Sequence, residues 1–437
     1  MDVHAIARPI YGEGEIEEIV ELIAEKRLVL LGEASHGTKD FYDIRASITR
    51  RLISQHGFNA VAIEGDWPDA MRVDRYVRGQ SEDDETPEMA LRGFERFPRW
   101  MWRNREVERF IGWLCRCNME RAAERRCGFY GLDLYSMHAS MRAVLSYLED
   151  NDPAAAKRAR DRYGCFDHIG DPQHYGIQAQ LGLGPKCENE VVAQLAEMQR
   201  RKIARSGRSP AGDAWFHAVQ QAHVVRNAEA YYRAMFGGRA ASWNLRDTHM
   251  ADTVDLLAEH LGRDGEPAKV IIWAHNSHVG DARATEMGED GQLTLGQILR
   301  QRHPNETALV GVTTHTGSVV AAYDWDEPGE VEQVRASLPG SWEELFHECE
   351  LTRFYATSAQ LRRAVGDHVD RLQRAIGVVY RPETERLSHY LHARLADEFD
   401  IVIHVDDTRA LEPLDPLAEI PARTPQEEVP ETYPTGV

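Results

Sequence analysis

Glu33 and His36 stand three residues apart, where the apolar run Arg27-Leu28-Val29-Leu30-Leu31 closes into Gly32-Glu33-Ala34-Ser35-His36. A histidine, with an unperturbed pKa of about 6.5, suits general base work near neutral pH. A carboxylate at the end of a buried run must be paired or face a cavity, so Glu33 is placed to orient that ring and to stabilise its protonated form. Glu64 repeats the arrangement at the end of Asn59–Asp66, and His275-x-x-His278 follows the run Ala268–Ala274. Together these residues predict a site in which His36 activates water. His275, His278 or the backbone N–H groups of Ser35–Thr38 would face the developing oxyanion, and Arg45 would lock a carboxylate by a bidentate pair. Asp66, Asp133 and His315 follow other apolar runs and are expected to bind substrate. No G-x-S-x-G elbow occurs, so a serine nucleophile, Ser35 or Ser277, is the less favoured route.

These residues need a scaffold that brings strand ends together. Short apolar runs of buried-strand length occur at 27–33, 59–66, 127–132, 268–274, 308–313, 376–380 and 399–405, separated by helical patterns. The expected fold is α/β: a mostly parallel sheet flanked by helices, with a helical insertion lobe over the carboxyl ends of the strands. Its insertions fall at about 79–118 and 138–262. Within the second, Trp215, Val219, Ala222, Val225, Ala228, Tyr232 and Met235 share one helix face. A single domain over 1–410 is followed by a Pro-rich acidic tail, 411–437, whose composition predicts an extended or disordered chain.

Composition excludes several classes of function. A net charge of −20 repels phosphate backbones and anionic membranes, so neither nucleic acid nor a membrane is expected as a partner. None of the six lysines follows a glycine as a phosphate loop requires. The six cysteines form no C-x-x-C pair and are expected as free thiols. With no apolar stretch of membrane-spanning or signal length, a soluble cytoplasmic protein is predicted.

The segments Gly32–Thr38 with Phe41, Tyr42 and Arg45, Ala62–Asp66, Gly131–Asp133, Trp243-Asn244 with Arg246-Asp247 and Met250-Ala251, and Trp273–His278 together resemble the erythromycin esterase family, in order and over about 30–406. The resemblance implies a hydrolase that opens a cyclic or bulky ester, macrolide lactones included, without a cofactor. In it His36 matches the family's general base, and Glu33, Arg45, Glu64, His275 and His278 match its companions. The implied partner is a small-molecule ester or lactone, and the implied role is antibiotic resistance. Two alternatives stay open. One is a metal-dependent hydrolase holding an ion with His275, His278 and Glu64 or Glu33. The other, suggested by a haem-binding relative of the fold, is a haem- or ligand-binding module without turnover, with His36 or His275 as axial ligand.

Overall fold

The computed structural model describes residues 3–166, 172–181, 186–200, 210–236, 238–262 and 265–417. Strands β1 (Arg8–Pro9), β2 (Leu28–Leu31), β3 (Ala60–Asp66), β4 (Gly128–Asp133), β5 (Val270–Trp273), β6 (Thr307–Ala322), β7 (Gly329–Val334), β8 (Arg353–Thr357) and β11 (Ile401–Thr408) form one sheet, and β9 (Arg371–Arg374) pairs with β10 (Tyr390–Ala393) apart from it. Six strands run parallel in the order β11, β6, β2, β5, β3, β4. The runs β2 and β5 are wholly buried and apolar because helices cover both faces of the sheet. The edge beyond β11 is antiparallel β8 and β1, and β7 pairs antiparallel with the distal half of β6.

Register is what positions the chemistry. Trp273 at the end of β5 lies opposite both Leu31 of β2 and Ile63 of β3. The residues that follow, among them Glu33, Glu64 and His275, therefore leave the sheet at one level of its carboxyl edge. Gly37 keeps that edge compact, since a Cβ there would lie 1.8 Å from the Val320 carbonyl of β6. Its own carbonyl accepts the N–H of Val320 at 3.0 Å.

Between β4 and β5 the described residues form helices and no strand. Among them Pro210–Ala234 carries the expected apolar face: Ala222, Val225, Ala228 and Tyr232 lie in a core separate from the two that flank the sheet, with Trp215, Val219 and Met235 packed on it. Helix Arg105–Met119, in the earlier predicted insertion, instead buries Val107, Phe110, Ile111 and Leu114 in the same core as β2 and β3.

Residues 376–380 are not a sheet strand. They make only the isolated bridges Ser35–Ile376 and Ala322–Val379, and their apolar side chains are explained by Ile376 and Tyr380 packing with Val319 and Ala321 of β6. The cysteines are not all free, because Cys165 and Cys187 form a disulfide with Cα atoms 5.8 Å apart; helix packing joins them across a separation of 22 residues that no short motif encodes. The start of the proline-rich tail is fixed, with the guanidinium of Arg103 donating twice to Asp415 at 2.6 Å and Asn104 bridging Pro413, while 418–437 lie outside the described residues.

The disulfide predicts a thiol count. Denatured, unreduced protein is expected to alkylate at Cys115, Cys117, Cys127 and Cys349 only, and at all six after reduction, as read by intact mass. Closing a loop of this length contributes about 3 kcal/mol in the chain-entropy picture, so Cys187→Ser should lower the urea midpoint accordingly.

Candidate active site

The carboxyl edge of the sheet opens into a cavity of about 240 Å³ lined by His36, Glu64, Asp66, Asp133, His275 and His278. Its walls come from three directions. The loop holding Phe94, Phe97 and Trp102 forms one, the helical insertion supplies Tyr135, Tyr231, Trp243 and Arg246, and Val378, Tyr390 and Leu391 close the third side.

His36 is oriented from behind. Its Nδ1 lies 2.9 Å from Oε1 of Glu33, which is fully buried, and Oε2 of Glu33 lies 2.6 Å from the guanidinium of Arg45. Arg45 comes from helix Lys39–Gln55 and lies over the rings of Tyr42 (4.4 Å) and Trp273 (5.1 Å). The Tyr42 hydroxyl, 2.8 Å from the His36 carbonyl, fixes the backbone of the same residue. With Nδ1 engaged, Nε2 is the nitrogen left to face the cavity.

Glu64 organises the other half. Its Oε2 accepts the backbone N–H of His275 at 2.9 Å, and its Oε1 lies 2.8 Å from Nη2 of Arg246 and 3.2 Å from Nε2 of His278. Arg246 also donates through Nε (2.9 Å) and Nη2 (2.6 Å) to the two oxygens of Asp133, a bidentate fork. Burial opposes ionisation of Glu64, yet the charges of His278 and Arg246 hold it well below the usual carboxylate range. On His278 burial is outweighed by Asp247, 2.9 Å from Nδ1, and by Glu64, so its pKa is raised to about 9. Three buried carboxylates, Glu64, Asp133 and Asp247, thus face two cations, Arg246 and His278, which leaves one negative charge in excess.

His275 behaves oppositely. It caps the short helix Asn276–Val279, its Nδ1 accepting the Ser277 N–H at 3.2 Å and lying 2.8 Å from Ser277 Oγ. Burial beside His36, whose ring centroid is 4.9 Å away, lowers its pKa to about 3. The ring is therefore neutral, and because Nδ1 is an acceptor the proton sits on Nε2, which is buried beside the Ala34 backbone with no strong hydrogen bond. Such a group is an electrophilic donor rather than a base.

The structure brings together Glu33, His36, Arg45, Glu64, Asp66, Asp133, His275 and His278, but not His315. That residue lies on the distal part of β6, hydrogen-bonded to Ser337 Oγ (2.6 Å) and stacked on His347 at 3.6 Å, away from the cavity lining. Asp66 lines the cavity with its Oδ2 on Arg96 at 2.9 Å. Ser35 is hydrogen-bonded to Thr38, and Ser277 lines the cavity with its Oγ on the weakly basic Nδ1 of His275. Among the described residues no group of three or more His, Cys, Asp and Glu is arranged to hold a metal ion, and His278 has both nitrogens on carboxylates. Arg246, Asp247 and Trp243 were not singled out as site residues from the sequence. They belong to a segment that carries the family resemblance, and positions 243, 246, 247 and 250 of helix Arg239–His260 share a face.

Residues 53–408 match the erythromycin esterase family profile. The chain belongs to the erythromycin esterase family. The matched residues include Glu64, Asp133, Arg246, His275 and His278, whereas Glu33, His36 and Arg45 precede them. Among curated members of the family, the chain is 24% identical to the Escherichia coli erythromycin esterase type II over 322 residues (71% of this chain, 74% of that protein). It is also 24% identical to type I of the same organism over 341 residues (72% and 76%). The fold is shared with a Bacillus cereus protein (TM-score 0.75, 18% identity, covering 94% of this chain and 98% of the other). It is also shared with a mutant of the erythromycin esterase EreC in its open conformation (TM-score 0.62, 17% identity, covering 92% and 97%). Within the described residues of this family member, no helix is long and apolar enough to cross a membrane.

The raised pKa of His278 has a stability consequence. Its contribution is complete below about pH 6.5, the unfolded value, and is lost as pH rises through 9. The urea midpoint should therefore fall between pH 6.5 and 9.5 by the equivalent of about 3 kcal/mol. In His278→Gln that decline should be absent, and an equal decline in both proteins would contradict a cationic His278.

Proposed function

We propose that this protein hydrolyses a carboxylic ester by direct attack of water, with His36 as general base. The observation that carries the reading is the buried Arg45–Glu33–His36 chain, which commits one ring nitrogen and leaves the other to the cavity. His36 Nε2 takes a proton from water as the water oxygen bonds to the ester carbonyl carbon. The carbonyl π pair moves to oxygen, where His275 Nε2–H is the donor to the oxyanion. Collapse breaks the bond between the carbonyl carbon and the leaving oxygen, and the imidazolium of His36 returns its proton to that oxygen.

The excess negative charge of the Glu64, Asp133, Asp247, Arg246 and His278 cluster supports the step, because a proton on His36 brings the neighbourhood to balance. The family's named members are erythromycin esterases, and the substrate class that follows is a cyclic or bulky ester, macrolactones included. The aromatic walls, with Arg96 and Arg246 already on carboxylates, suit a neutral ring system better than an anionic one.

The test is mass-spectrometric turnover of erythromycin and of a panel of simple esters and lactones. Water addition of about 18 Da is expected on at least one of them, and His36→Ala should lower turnover by about 10² to 10⁴ with the thermal midpoint little changed. A variant that retains most of its activity, or an acyl adduct trapped on Ser277, would overturn the mechanism.

A further inference from the structure

We propose that Asp247, a residue outside the cavity lining, is a positioning residue for the esterase site, holding His278 as the cation that clamps Glu64 and, through Glu64, the oxyanion donor His275. The inference rests on the ester-hydrolysis reading of the same cavity.

Both oxygens of Asp247 lie 2.9 Å from His278 Nδ1, and Oδ1 also accepts the N–H of Leu295 at 2.7 Å. One helical turn earlier, Trp243 stacks on the His278 ring with centroids 4.6 Å apart and planes 6° from parallel. Trp243 is itself pinned by its Nε1–H on the Leu293 carbonyl at 2.9 Å. Asp247 therefore fixes the ring within its plane and Trp243 fixes the plane. Nε2 is aimed at Glu64 Oε1 (3.2 Å), and Glu64 Oε2 holds the His275 backbone N–H (2.9 Å). A chain of three polar contacts thus runs from Asp247 to His275, whose ring lines the cavity.

The charged groups facing His278 are Asp247 and Arg246 from helix Arg239–His260 and Glu64 from β3, with Asp133 of β4 behind Arg246 and neutral His275 preceding it in its own segment. Arg246 Nη1, at 3.1 Å from Nε2, disfavours the imidazolium. Of the two carboxylates that favour it, Asp247 is the one not shared with Arg246. An amide at 247 keeps the shape and an acceptor for the ring N–H but removes the charge. In D247N the ring should titrate near the ordinary histidine value of about 6.5.

The experiment pairs kinetics with nitrogen NMR of the His278 ring, in wild type and D247N, from pH 5 to 10. Losing the partner that orients a working histidine costs about 10- to 100-fold in metal sites, and a loss of that size in kcat is expected here at pH 8, with KM changed less than about twofold. The ratio of D247N to wild-type activity should approach one below pH 6, where His278 is protonated in both, and fall as pH rises. Asp247→Glu should recover part of the loss. A ratio independent of pH, or a D247N ring still cationic at pH 8, overturns the proposal. Should D247N fail to fold, the wild-type titration decides: a midpoint at or below 6.5 is equally fatal. Absence of turnover of every ester by wild type would instead refute the hydrolase reading, and the NMR result would separately support or reject Asp247 as the partner that keeps the ring charged.

Discussion

A fully buried carboxylate is tolerated only where its charge is matched, and Glu33 is the carboxylate on which this site is built. One of its oxygens is on Arg45 and the other on His36, with no water-exposed alternative for either. Arg45 is equally constrained, sandwiched between Tyr42 of the first long helix and Trp273 of the fifth strand. The loop after β2, the helix that follows it and the sequence-distant fifth strand therefore meet at one ion pair. The orientation of His36 is inherited from the packing of the sheet and its first helix, not from a loop free to adjust. Preorganisation of this kind costs nothing at the moment of reaction.

The second buried carboxylate, Glu64, does for the helical insertion what Glu33 does for the first helix. Part of the insertion has its own apolar core, while helix Arg239–His260 packs Met250, Ala251, Val254, Leu257 and Ala258 into a core that flanks the sheet, so buried charges add to an apolar attachment. The seam contains the Arg246 fork on Asp133 and Glu64, with Asp247 on His278, all buried. Breaking one partner of such a group leaves an uncompensated charge, so the seam holds the insertion in one register against the strand ends. That insertion also supplies Tyr135, Tyr231 and Trp243 to the cavity wall. The interactions that dock the wall are thus continuous with those that orient His278.

Much of this was legible in the sequence, for a stated reason. In a parallel sheet the apolar runs end at a common edge, so the residues that follow them converge whatever the intervening chain does. Glu33, His36, Glu64 and His275 were found that way. The same argument misplaced His315, because β6 is 16 residues long and continues past that edge to pair with β7. Length of an apolar run does not reveal where its neighbours stop. Arg246 and Asp247 were legible only as part of the family resemblance, because they follow no apolar strand run and their partners Asp133 and His278 lie far off in sequence. The run 376–380 is apolar enough for a strand, yet its pairing is limited to single bridges at the rim of the site. Cys165 and Cys187 meet only through tertiary packing of the insertion.

On the proposed mechanism the charge excess has a second effect after the ester is cut. The cavity holds one uncompensated carboxylate charge before substrate enters, and it reaches balance only while His36 carries the proton. Once that proton is returned to the leaving oxygen and the new carboxylic acid gives its own proton to solvent, the site is again net negative and contains a carboxylate as product. Arg96 and Arg246, the arginines of the wall, are already engaged by Asp66, Asp133 and Glu64, so no guanidinium is at hand to retain it. Repulsion at short range in a medium of low dielectric is strong compared with bulk water. The same excess charge therefore favours release of the acid, and binding of the neutral ester rests on the aromatic walls, which are indifferent to that charge.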